Sequence, residues 1–230
     1  MIESRRVIAL VPARGGSKSV PYKNLHLLGA KPLIAWPIDC ARSTSEIDRT
    51  IVSTDDAKIA AEAKRLGAEV YERSAALASD TAIVADVIRD LWRRLKSEGE
   101  KAEILVLLEA TSPFRSPDLI RRCLKRLVSD RLDSIATFND ADINPERTWR
   151  IEGGVPRPFI DGAVAWKPRQ QLTPAYQLNG AVYAFFPDRL PERTPGLLFG
   201  AMGAEIVSAD AVIDIDTAQD FVIADALLKR

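Results

Sequence analysis

Short β-branched runs alternate along the chain with longer runs in which apolar residues recur every three or four positions. The short runs predict strands at residues 7–11, 50–53, 69–71, 104–108, 134–138 and 179–186. Regular alternation of strands and helices is typical of a parallel sheet with helices on both faces. The pattern therefore predicts a single α/β domain over residues 1–230, with three layers and a mostly parallel, doubly wound sheet.

The longer runs predict amphipathic helices between these strands. Residues 32–42 form the first, and the second follows Asp55 and Asp56, which are suitable N-cap residues, and ends at Gly67. Asp80 is the predicted N-cap of the longest helix, and Ser116 with Pro117 opens the next one. A closing helix is predicted at residues 221–228.

The alternation breaks between residues 139 and 176, a stretch rich in proline, arginine and tryptophan. We interpret it as an insertion with short strands of its own that exposes Trp149, Phe159 and Trp166. Exposed aromatic side chains suggest a partner surface, here a second copy of the chain in a homodimer. The alternative is an irregular excursion packed on its own domain.

Composition excludes several classes of function. The chain has 32 basic and 32 acidic residues, so its net charge gives no electrostatic reason to expect nucleic acid or a membrane as a partner. Cys40 and Cys123 fit neither a zinc site nor a disulfide framework and are expected to be buried. The single histidine, His26, is given no catalytic role. The first apolar run is too short for a signal peptide, so we expect a cytoplasmic protein.

The loop after the first strand has the strongest chemical signal. Gly15 and Gly16 allow backbone amides to approach an anion closely. Arg14, Lys18 and Lys23 add positive charge suited to a triphosphate. The Gly-Lys-Ser/Thr ending of the common phosphate loop is absent. The loop therefore indicates phosphate binding without indicating a reaction, and a solvated basic loop is the alternative.

A second signal is the tetrapeptide Asp214-Ile215-Asp216-Thr217 near the end of the chain. In an extended segment alternate residues share a face, so Asp214 and Asp216 could hold Mg²⁺ together. The alternative is a capping cluster for the last helix, with Asp216 or Thr217 as the cap. Phosphatases of the haloacid dehalogenase type carry a similar motif, but they carry it on the first strand of a domain.

Seven stretches, in this order, resemble the N-acylneuraminate cytidylyltransferases, also called CMP-sialic acid synthetases, over nearly the whole chain. They are ARGGSK at 13–18 with PYKN at 21–24, VSTD at 52–55, Arg73 with LASDT at 77–81, TSPFR at 111–115, PRQQL at 168–172, NGAVY at 179–183 and DIDT at 214–217. The resemblance implies a nucleotidyltransferase fold, the transfer of CMP from CTP to a sialic-type sugar acid, Mg²⁺ as cofactor, and a dimer in which the insertion completes the partner's site.

The resemblance also implies roles for individual residues. The nucleotide-binding set comprises Arg14, Gly15, Ser17, Lys18, Lys23, Asn24, Arg73, Asp80 and Thr81. The sugar-binding set comprises Glu109, Arg147, Arg169, Asn179 and Tyr183, with Arg169 expected to pair with the sugar carboxylate. Asp214 and Asp216 would hold Mg²⁺. Arg14, Lys23 and Asp216 would be catalytic: the two cations stabilise departing pyrophosphate, and Asp216 helps remove the proton from the attacking hydroxyl.

One departure from the family pattern concerns the sugar. Where sialate enzymes commonly have glutamine, this chain has Glu109, whose ionised carboxylate cannot donate a hydrogen bond. The substrate therefore need not be N-acetylneuraminate, and legionaminate or pseudaminate become candidates, with KDO as a further alternative. A nucleotide-binding relative without turnover is the remaining alternative.

Overall fold

The computed structural model describes residues 1–17, 19–79, 81–208 and 213–229. Its strands are β1 (Val7–Pro12), β2 (Leu27–Leu28), β3 (Lys31–Pro32), β4 (Arg49–Thr54), β5 (Glu69–Glu72), β6 (Ile104–Leu107), β7 (Ser134–Asp140), β8 (Trp149–Glu152), β9 (Val155–Pro158), β10 (Tyr176–Phe185) and β11 (Met202–Ile206). Its α-helices are α1 (Ala35–Arg42), α2 (Ala57–Arg65), α3 (Ala75–Ala78), α4 (Val84–Ser97), α5 (Pro117–Ser129) and α6 (Ala218–Leu227).

Seven strands form the central sheet, in the order β11-β7-β10-β6-β1-β4-β5. Strand β10 runs antiparallel to both of its neighbours, and every other neighbouring pair is parallel. The prediction of a mostly parallel sheet is confirmed. Because β1 and β6 lie in the middle with both faces covered, their sequences VIAL and ILVL are continuously apolar.

Alternate residues of β1 pack into two different cores, as the two-residue period of a strand requires. Val7 and Val11 contribute to the core that includes Ile38 of α1, Ile59 of α2 and Leu124 of α5. The intervening residues Ile8 and Leu10 belong to the core on the opposite face, with Ile88, Leu91 and Leu95 of α4. The predicted three layers are therefore present.

Several predicted boundaries are wrong, each for a local reason. The first helix begins at Ala35 rather than Pro32, because Pro32 pairs in the short β2–β3 hairpin. The long helix begins at Val84 with Ile83 at its N-cap, and the proposed cap Asp80 lies outside the described residues. The last helix begins at Ala218, where Thr217 and Asp220 form a capping box. Thus Thr217 is the cap, as one alternative held.

Strand β11 was not predicted at all. Its sequence, MGAEI, contains a glycine and a glutamate and has no continuous apolar run. The strand lies at the edge of the sheet and pairs in parallel with β7. An edge strand with partly exposed faces needs fewer apolar residues, which explains why the hydrophobic pattern missed it.

The insertion between β7 and β10 contains a two-stranded antiparallel hairpin formed by β8 and β9. Trp149, Phe159 and Trp166 are all exposed, and Trp166 keeps 86% of its surface accessible. The predicted short strands and exposed aromatic residues are confirmed, whereas the pairing of this surface with a second chain remains a prediction. None of the helices in the described ranges has the length and apolar character needed to cross a bilayer.

The central strands predict where the chain is least tolerant of substitution. Ile104 in β6 is fully buried, so Ile104→Ala should lower the free energy of unfolding by about 2–5 kcal/mol in urea denaturation. Ile223→Ala on α6, where the side chain is 45% exposed, is the matched control and should cost clearly less. Equal losses in the two variants would contradict the assignment of β6 to the core.

Candidate active site

The loop after β1 continues the strand and then turns across the carboxyl edge of the sheet. Ala13 still donates its amide to the Ser53 carbonyl at 2.9 Å. The Gly15 amide donates to Asp55 Oδ1 at 3.0 Å, so it is engaged within the protein. A Cβ at Gly15 would lie 2.8 Å from the Asp56 Cβ, which leaves no room for a side chain. Gly15 is thus needed for close packing between two loops, a different reason from the anion contact predicted for it.

Lys23 connects this loop to the segment before α6. It opens a short 3-10 turn, Lys23–Leu25, after Tyr22, whose φ of 52° is in the left-handed region. The Lys23 Nζ donates to Asp216 Oδ1 at 2.8 Å and to the Ile215 carbonyl at 2.9 Å. Its side chain is only 12% exposed, so the ammonium is held at one place. Lys23 is therefore a fixed positive charge beside the predicted metal ligands.

Asp214 and Asp216 lie on one side of their segment, as the alternation predicted. Ile215 between them is fully buried, whereas both aspartates are exposed. The Ile215 amide donates to the Thr111 carbonyl at 2.8 Å, which anchors the segment beside the loop after β6. Partial desolvation of its carboxylate by the surrounding protein raises the pKa of Asp214, a hydrogen bond from Thr111 lowers it, and the neighbouring charge of Asp216 raises it further. The two carboxylates therefore share one electrostatic environment.

A cavity of about 340 Å³ opens between these loops. It is lined by Pro12, Arg14, Ser17, Lys23, Asn24, Arg73, Leu77, Ser79, Ala82, Val84, Glu109, Ala110 and Thr111. Six residues predicted to bind the nucleotide or the sugar thus surround one space, whereas Leu77, Ala82 and Val84 were not predicted as site residues. These three residues form an apolar wall. Predicting this wall would have required knowing where α3 and α4 lie over the sheet.

Two of the lining residues are held by backbone carbonyls. The Asn24 side-chain amide is buried and donates to the Arg14 carbonyl at 3.0 Å. The Arg73 guanidinium donates to the Ser53 carbonyl at 2.9 Å. Burial lowers the pKa of Arg73, the charge of Asp55 raises it, and Arg14 lowers it. Asn24 therefore shapes the first loop, and Arg73 presents a partly desolvated cation to the cavity.

Glu109 is a largely buried carboxylate at the wall of this cavity. Burial raises its pKa to about 7, with the negative charge of Asp214 as the next cause, while Arg115 lowers it. Its Oε2 lies 2.8 Å from where a Cβ on Gly180 would be, and Gly180 has a φ of 69°. Gly180 therefore lets the β10 backbone approach the Glu109 carboxylate closely.

Arg115 belongs to the TSPFR stretch, but sequence reasoning gave it no role. It is buried, and its guanidinium donates to the Ala181 carbonyl at 2.6 Å and to the Glu109 carbonyl. Burial lowers the pKa of Arg115 to about 10. The residue joins the loop after β6 to the start of the buried half of β10. A buried arginine bonded to carbonyls leaves no periodic signal that would have revealed it.

Asn179 and Tyr183 lie on β10 on either side of Gly180, and neither lines the cavity. Asn179 is buried, and its Oδ1 accepts hydrogen bonds from Thr137 Oγ1 at 2.6 Å and from the Ala181 amide at 3.1 Å. Burial raises the pKa of Tyr183, and so do the charges of Glu109 and Asp214. In this structure Asn179 organises the backbone, and Tyr183 borders the acidic side of the site.

The structure does not bring every predicted site residue together. Arg147 and Arg169 line a second cavity of about 590 Å³ within the insertion, bounded by residues 140–144 and 169–175. Thr81 is exposed, with its hydroxyl 3.3 Å from that of Ser79. Lys18 and Asp80 lie outside the described residues. The first cavity thus contains the predicted phosphate contacts, and the two arginines expected at the sugar belong to a separate surface of the same chain.

The carboxylates suit a magnesium ion that is bound together with a phosphate. Within the described ranges, no group of three or more histidine, cysteine, aspartate or glutamate residues is placed to hold a metal. Mg²⁺ commonly takes only one or two protein carboxylates and completes its shell with substrate phosphate oxygens and water. Asp214 and Asp216 supply this hard oxygen pair, and each raises the pKa of Glu109 through its negative charge, which a bound cation would offset.

A loop carrying Arg14 and Lys23, a pair of carboxylates and a cavity at the carboxyl edge of a parallel sheet are features typical of a nucleotidyltransferase enzyme. The sequence profile of the family described as "Cytidylyltransferase" matches residues 8–151. The chain belongs to this family of cytidylyltransferases.

Curated relatives match the chain along almost its whole length. It is 32% identical to CMP-N,N'-diacetyllegionaminic acid synthase of Legionella pneumophila, covering 97% of each chain. It is 26% identical to pseudaminic acid cytidylyltransferase of Campylobacter jejuni, covering 96% of each chain. It is 33% identical to N-acylneuraminate cytidylyltransferase A of Danio rerio, over 99% of this chain and 52% of the relative. The chain thus spans about half the length of that last protein.

Solved structures confirm the fold. A CMP:2-keto-3-deoxy-manno-octonic acid synthetase complexed with CTP superimposes with a TM-score of 0.70 at 17% identity, covering 97% of this chain and 98% of the other. A 4-diphosphocytidyl-2C-methyl-D-erythritol synthase gives a TM-score of 0.70 at 17% identity, covering 98% and 99%. At such identities the likeness concerns the fold alone, and it agrees with the predicted nucleotidyltransferase architecture.

The raised pKa of Glu109 predicts a pH-dependent stability. Between pH 4.5 and about 7 the folded chain keeps a proton on Glu109 that the unfolded chain has released. The free energy of unfolding should therefore fall as pH rises through this window, by up to about 3 kcal/mol from this group. In urea denaturation in metal-free buffer, the free energy of unfolding of Glu109→Gln should lack this decrease. The stability of the variant relative to the wild type should therefore increase as pH rises from 4.5 to about 7.

Glu62 on α2 provides a control of opposite sign. A hydrogen bond from Arg65 lowers the pKa of Glu62, so its contribution to stability is present above pH 4.5 and is lost as pH falls. The free energy of unfolding of Glu62→Gln, relative to that of the wild type, should therefore decrease as pH rises toward 5. If the stability of Glu109→Gln runs parallel to that of the wild type at every pH, the desolvated environment assigned to Glu109 is wrong.

Proposed function

We propose that this enzyme transfers CMP from CTP to the anomeric hydroxyl of a nonulosonic acid, a nine-carbon sugar acid of the sialic type, and releases pyrophosphate. The observation that carries the proposal is the cavity lined by Arg14 and Lys23, together with the contact by which the Lys23 ammonium holds the Asp216 carboxylate beside it. Two relatives that match over 96% or more of both chains are named for legionaminic and pseudaminic acids, which supports this class of sugar.

The basic loop provides the contacts that a triphosphate needs. Arg14 and Lys23 line the cavity with positive charge, and Ser17 adds a hydroxyl group. Charge-assisted hydrogen bonds from such groups are stronger than neutral ones and favour the departing pyrophosphate. In the proposed complex Lys23 contacts phosphate oxygens, which requires its Nζ to shift from the Asp216 carboxylate.

Asp214 and Asp216 would hold Mg²⁺. The ion would supply charge neutralisation for the phosphate oxygens. The anomeric oxygen attacks the α-phosphorus in line, the bond to the β-phosphate oxygen breaks, and the hydroxyl proton passes to a base. Asp216 is the proposed acceptor of this proton, because its carboxylate is 69% exposed and its segment is anchored beside Thr111.

The reaction is tested by pyrophosphate release from CTP and Mg²⁺ with N,N'-diacetyllegionaminate, pseudaminate, N-acetylneuraminate and KDO in parallel. Release with one of the first three supports the proposal and names the sugar. Release with KDO alone would establish a different acidic sugar as the substrate. Tight CTP binding without release from any of the acids would contradict the proposal and favour a relative that lacks turnover.

Asp216→Ala should lower kcat by at least 100-fold, because it removes both a metal ligand and the proposed proton acceptor. The measurement is steady-state pyrophosphate release, with unfolding in urea as the check that the variant remains folded. Asp130→Ala provides the control. Asp130 is a carboxylate at the C-terminal end of α5, away from the loop after β6, and it pairs with Arg126. An Asp216→Ala enzyme with wild-type kcat would rule out both roles.

A homodimer is the second part of the proposal. The rings of Trp149 and Trp166 lie 6.3 Å apart on the exposed insertion, and exposed aromatic clusters of this kind commonly mark interfaces. The arginine-lined cavity is separate from the cytidylyltransferase cavity, which fits a site completed across two chains. Arg147 and Arg169 would then bind the sugar in the active site of the partner chain.

Trp166→Glu should weaken the dimer at least tenfold, because it places a charge in the core of the proposed interface. Sedimentation equilibrium measures the dissociation constant. Val222→Glu on α6, where the side chain is 70% exposed, is the control and should leave the dimer intact. A wild-type protein that is monomeric at micromolar concentration, or a dimer dissociated only by Val222→Glu, would contradict the assignment to the insertion.

A further inference from the structure

Tyr22 has an uncommon backbone conformation at the point where the first loop turns toward Lys23. Its φ of 52° and ψ of 37° lie in the left-handed region, which is costly for a residue with a bulky side chain. Its carbonyl accepts hydrogen bonds from the Leu25 amide at 2.8 Å and from the His26 amide at 3.1 Å. Such a conformation persists only where surrounding contacts hold it, and it is often found at functional sites.

The Tyr22 side chain is held by a cation from the neighbouring loop. Lys58 Nζ lies 4.6 Å from the centre of the Tyr22 ring, within the range of a cation–π contact. Lys58 belongs to the first turn of α2, where its amide donates to Asp56 Oδ1 at 2.8 Å. The contact between Lys58 and Tyr22 therefore connects the turn before Lys23 to the start of α2.

The start of α2 contacts the first loop at both of its ends. Near the beginning of the loop, the Gly15 amide donates to Asp55 Oδ1 at 3.0 Å, and Asp56 fills the space where a side chain at position 15 would lie. Near the end of the loop, Lys58 covers the ring of Tyr22. Because Asp56 also caps α2 and accepts from the Lys58 amide, one helix end fixes both ends of the basic loop.

These contacts become more important once a triphosphate is bound. In the free chain, the Lys23 ammonium is fixed by Asp216 and by the Ile215 carbonyl. In the proposed complex this ammonium leaves Asp216 for a phosphate oxygen, so the bond to Asp216 no longer holds the turn in place. The contact between Tyr22 and Lys58 involves neither the carboxylates nor the phosphates, and it can persist in the complex.

We propose that Lys58 is a positioning residue for CMP transfer, which holds, through the ring of Tyr22, the turn that presents Lys23 to the triphosphate. This inference rests on the proposed function and adds a residue that belongs to none of the predicted site sets. Among the described residues, neither Tyr22 nor Lys58 lines the cavity. Lys58 therefore acts on the nucleotide through Tyr22 and Lys23, without touching it.

The test is a double-mutant cycle on the affinity for CTP, measured by calorimetry with Mg²⁺ and without a sugar acid, so that turnover is not required. Lys58→Met removes the cation and keeps an unbranched side chain, and Tyr22→Leu removes the ring and keeps a bulky residue at the left-handed position. Lys58→Arg and Tyr22→Phe preserve the cation and the ring. Lys64→Met, in the last turn of α2, controls for the loss of one positive charge.

Lys58→Met and Tyr22→Leu should each raise the dissociation constant of CTP by about two- to fivefold, the factor that corresponds to an exposed cation–π contact. The double variant should bind about as well as the weaker single variant, because both changes remove the same contact. Lys58→Arg, Tyr22→Phe and Lys64→Met should stay within about 1.5-fold of the wild type. With a sugar acid present, the first two changes should raise KM for CTP and leave KM for the acid unchanged. Urea denaturation should give the same midpoint for all variants, since the contact lies at the surface.

Two results would overturn the inference. Wild-type CTP affinity in both Lys58→Met and Tyr22→Leu would mean that their contact does not position the loop. An equal loss of affinity on adding Lys58→Met to the wild type and to Tyr22→Leu would mean that Lys58 acts on the triphosphate without the ring. A wild type that does not bind CTP would instead count against the proposed function, so the two failures are distinguishable.

Discussion

The contact between the Lys23 ammonium and the Ile215–Asp216 segment joins two parts of the chain that lie 193 positions apart. The first loop leaves the central strand β1, and the late segment precedes the closing helix. One ammonium donating to a carboxylate and to a carbonyl keeps the basic and acidic halves of the site in contact. Together with the hydrogen bond from the Ser19 hydroxyl to the Asp216 carbonyl, this contact fixes the first loop against the proposed metal ligands.

The sheet explains why these halves can meet. Strands β4, β1 and β6 are parallel neighbours, so their carboxyl ends lie at one edge and their following loops share one space. The antiparallel strand β10 reaches the same edge from the other direction and brings Gly180 against Glu109. The acidic side of the cavity thus depends on β10, which runs antiparallel to both of its neighbours in the central sheet.

Much of this arrangement follows from local sequence. The continuous apolar runs at β1 and β6 predict buried parallel strands, and the two-residue spacing of Asp214 and Asp216 predicts carboxylates on one side of a segment whose middle residue is buried. The basic residues of the first loop follow directly after a strand, which places Arg14 and Lys23 at the ligand edge. These features are contained within short windows and obey simple periodicities.

Other features depend on contacts between distant residues and could not be predicted. Arg115 is held by one carbonyl in the loop after β6 and one in β10, and its burial has no counterpart in the local pattern. Gly15 is required by the position of Asp56, a residue on the neighbouring loop. The separation of Arg147 and Arg169 from the main cavity depends on how the insertion folds, and its weak periodicity gives no indication of that fold.

The most direct test of this account is a crystal structure of the enzyme with CTP and Mg²⁺. The account predicts the triphosphate against the loop after β1, with Lys23 Nζ transferred from Asp216 to a phosphate oxygen and the metal between Asp214, Asp216 and the nucleotide. A triphosphate bound in the arginine-lined cavity of the insertion, with the Lys23–Asp216 contact unchanged, would contradict it.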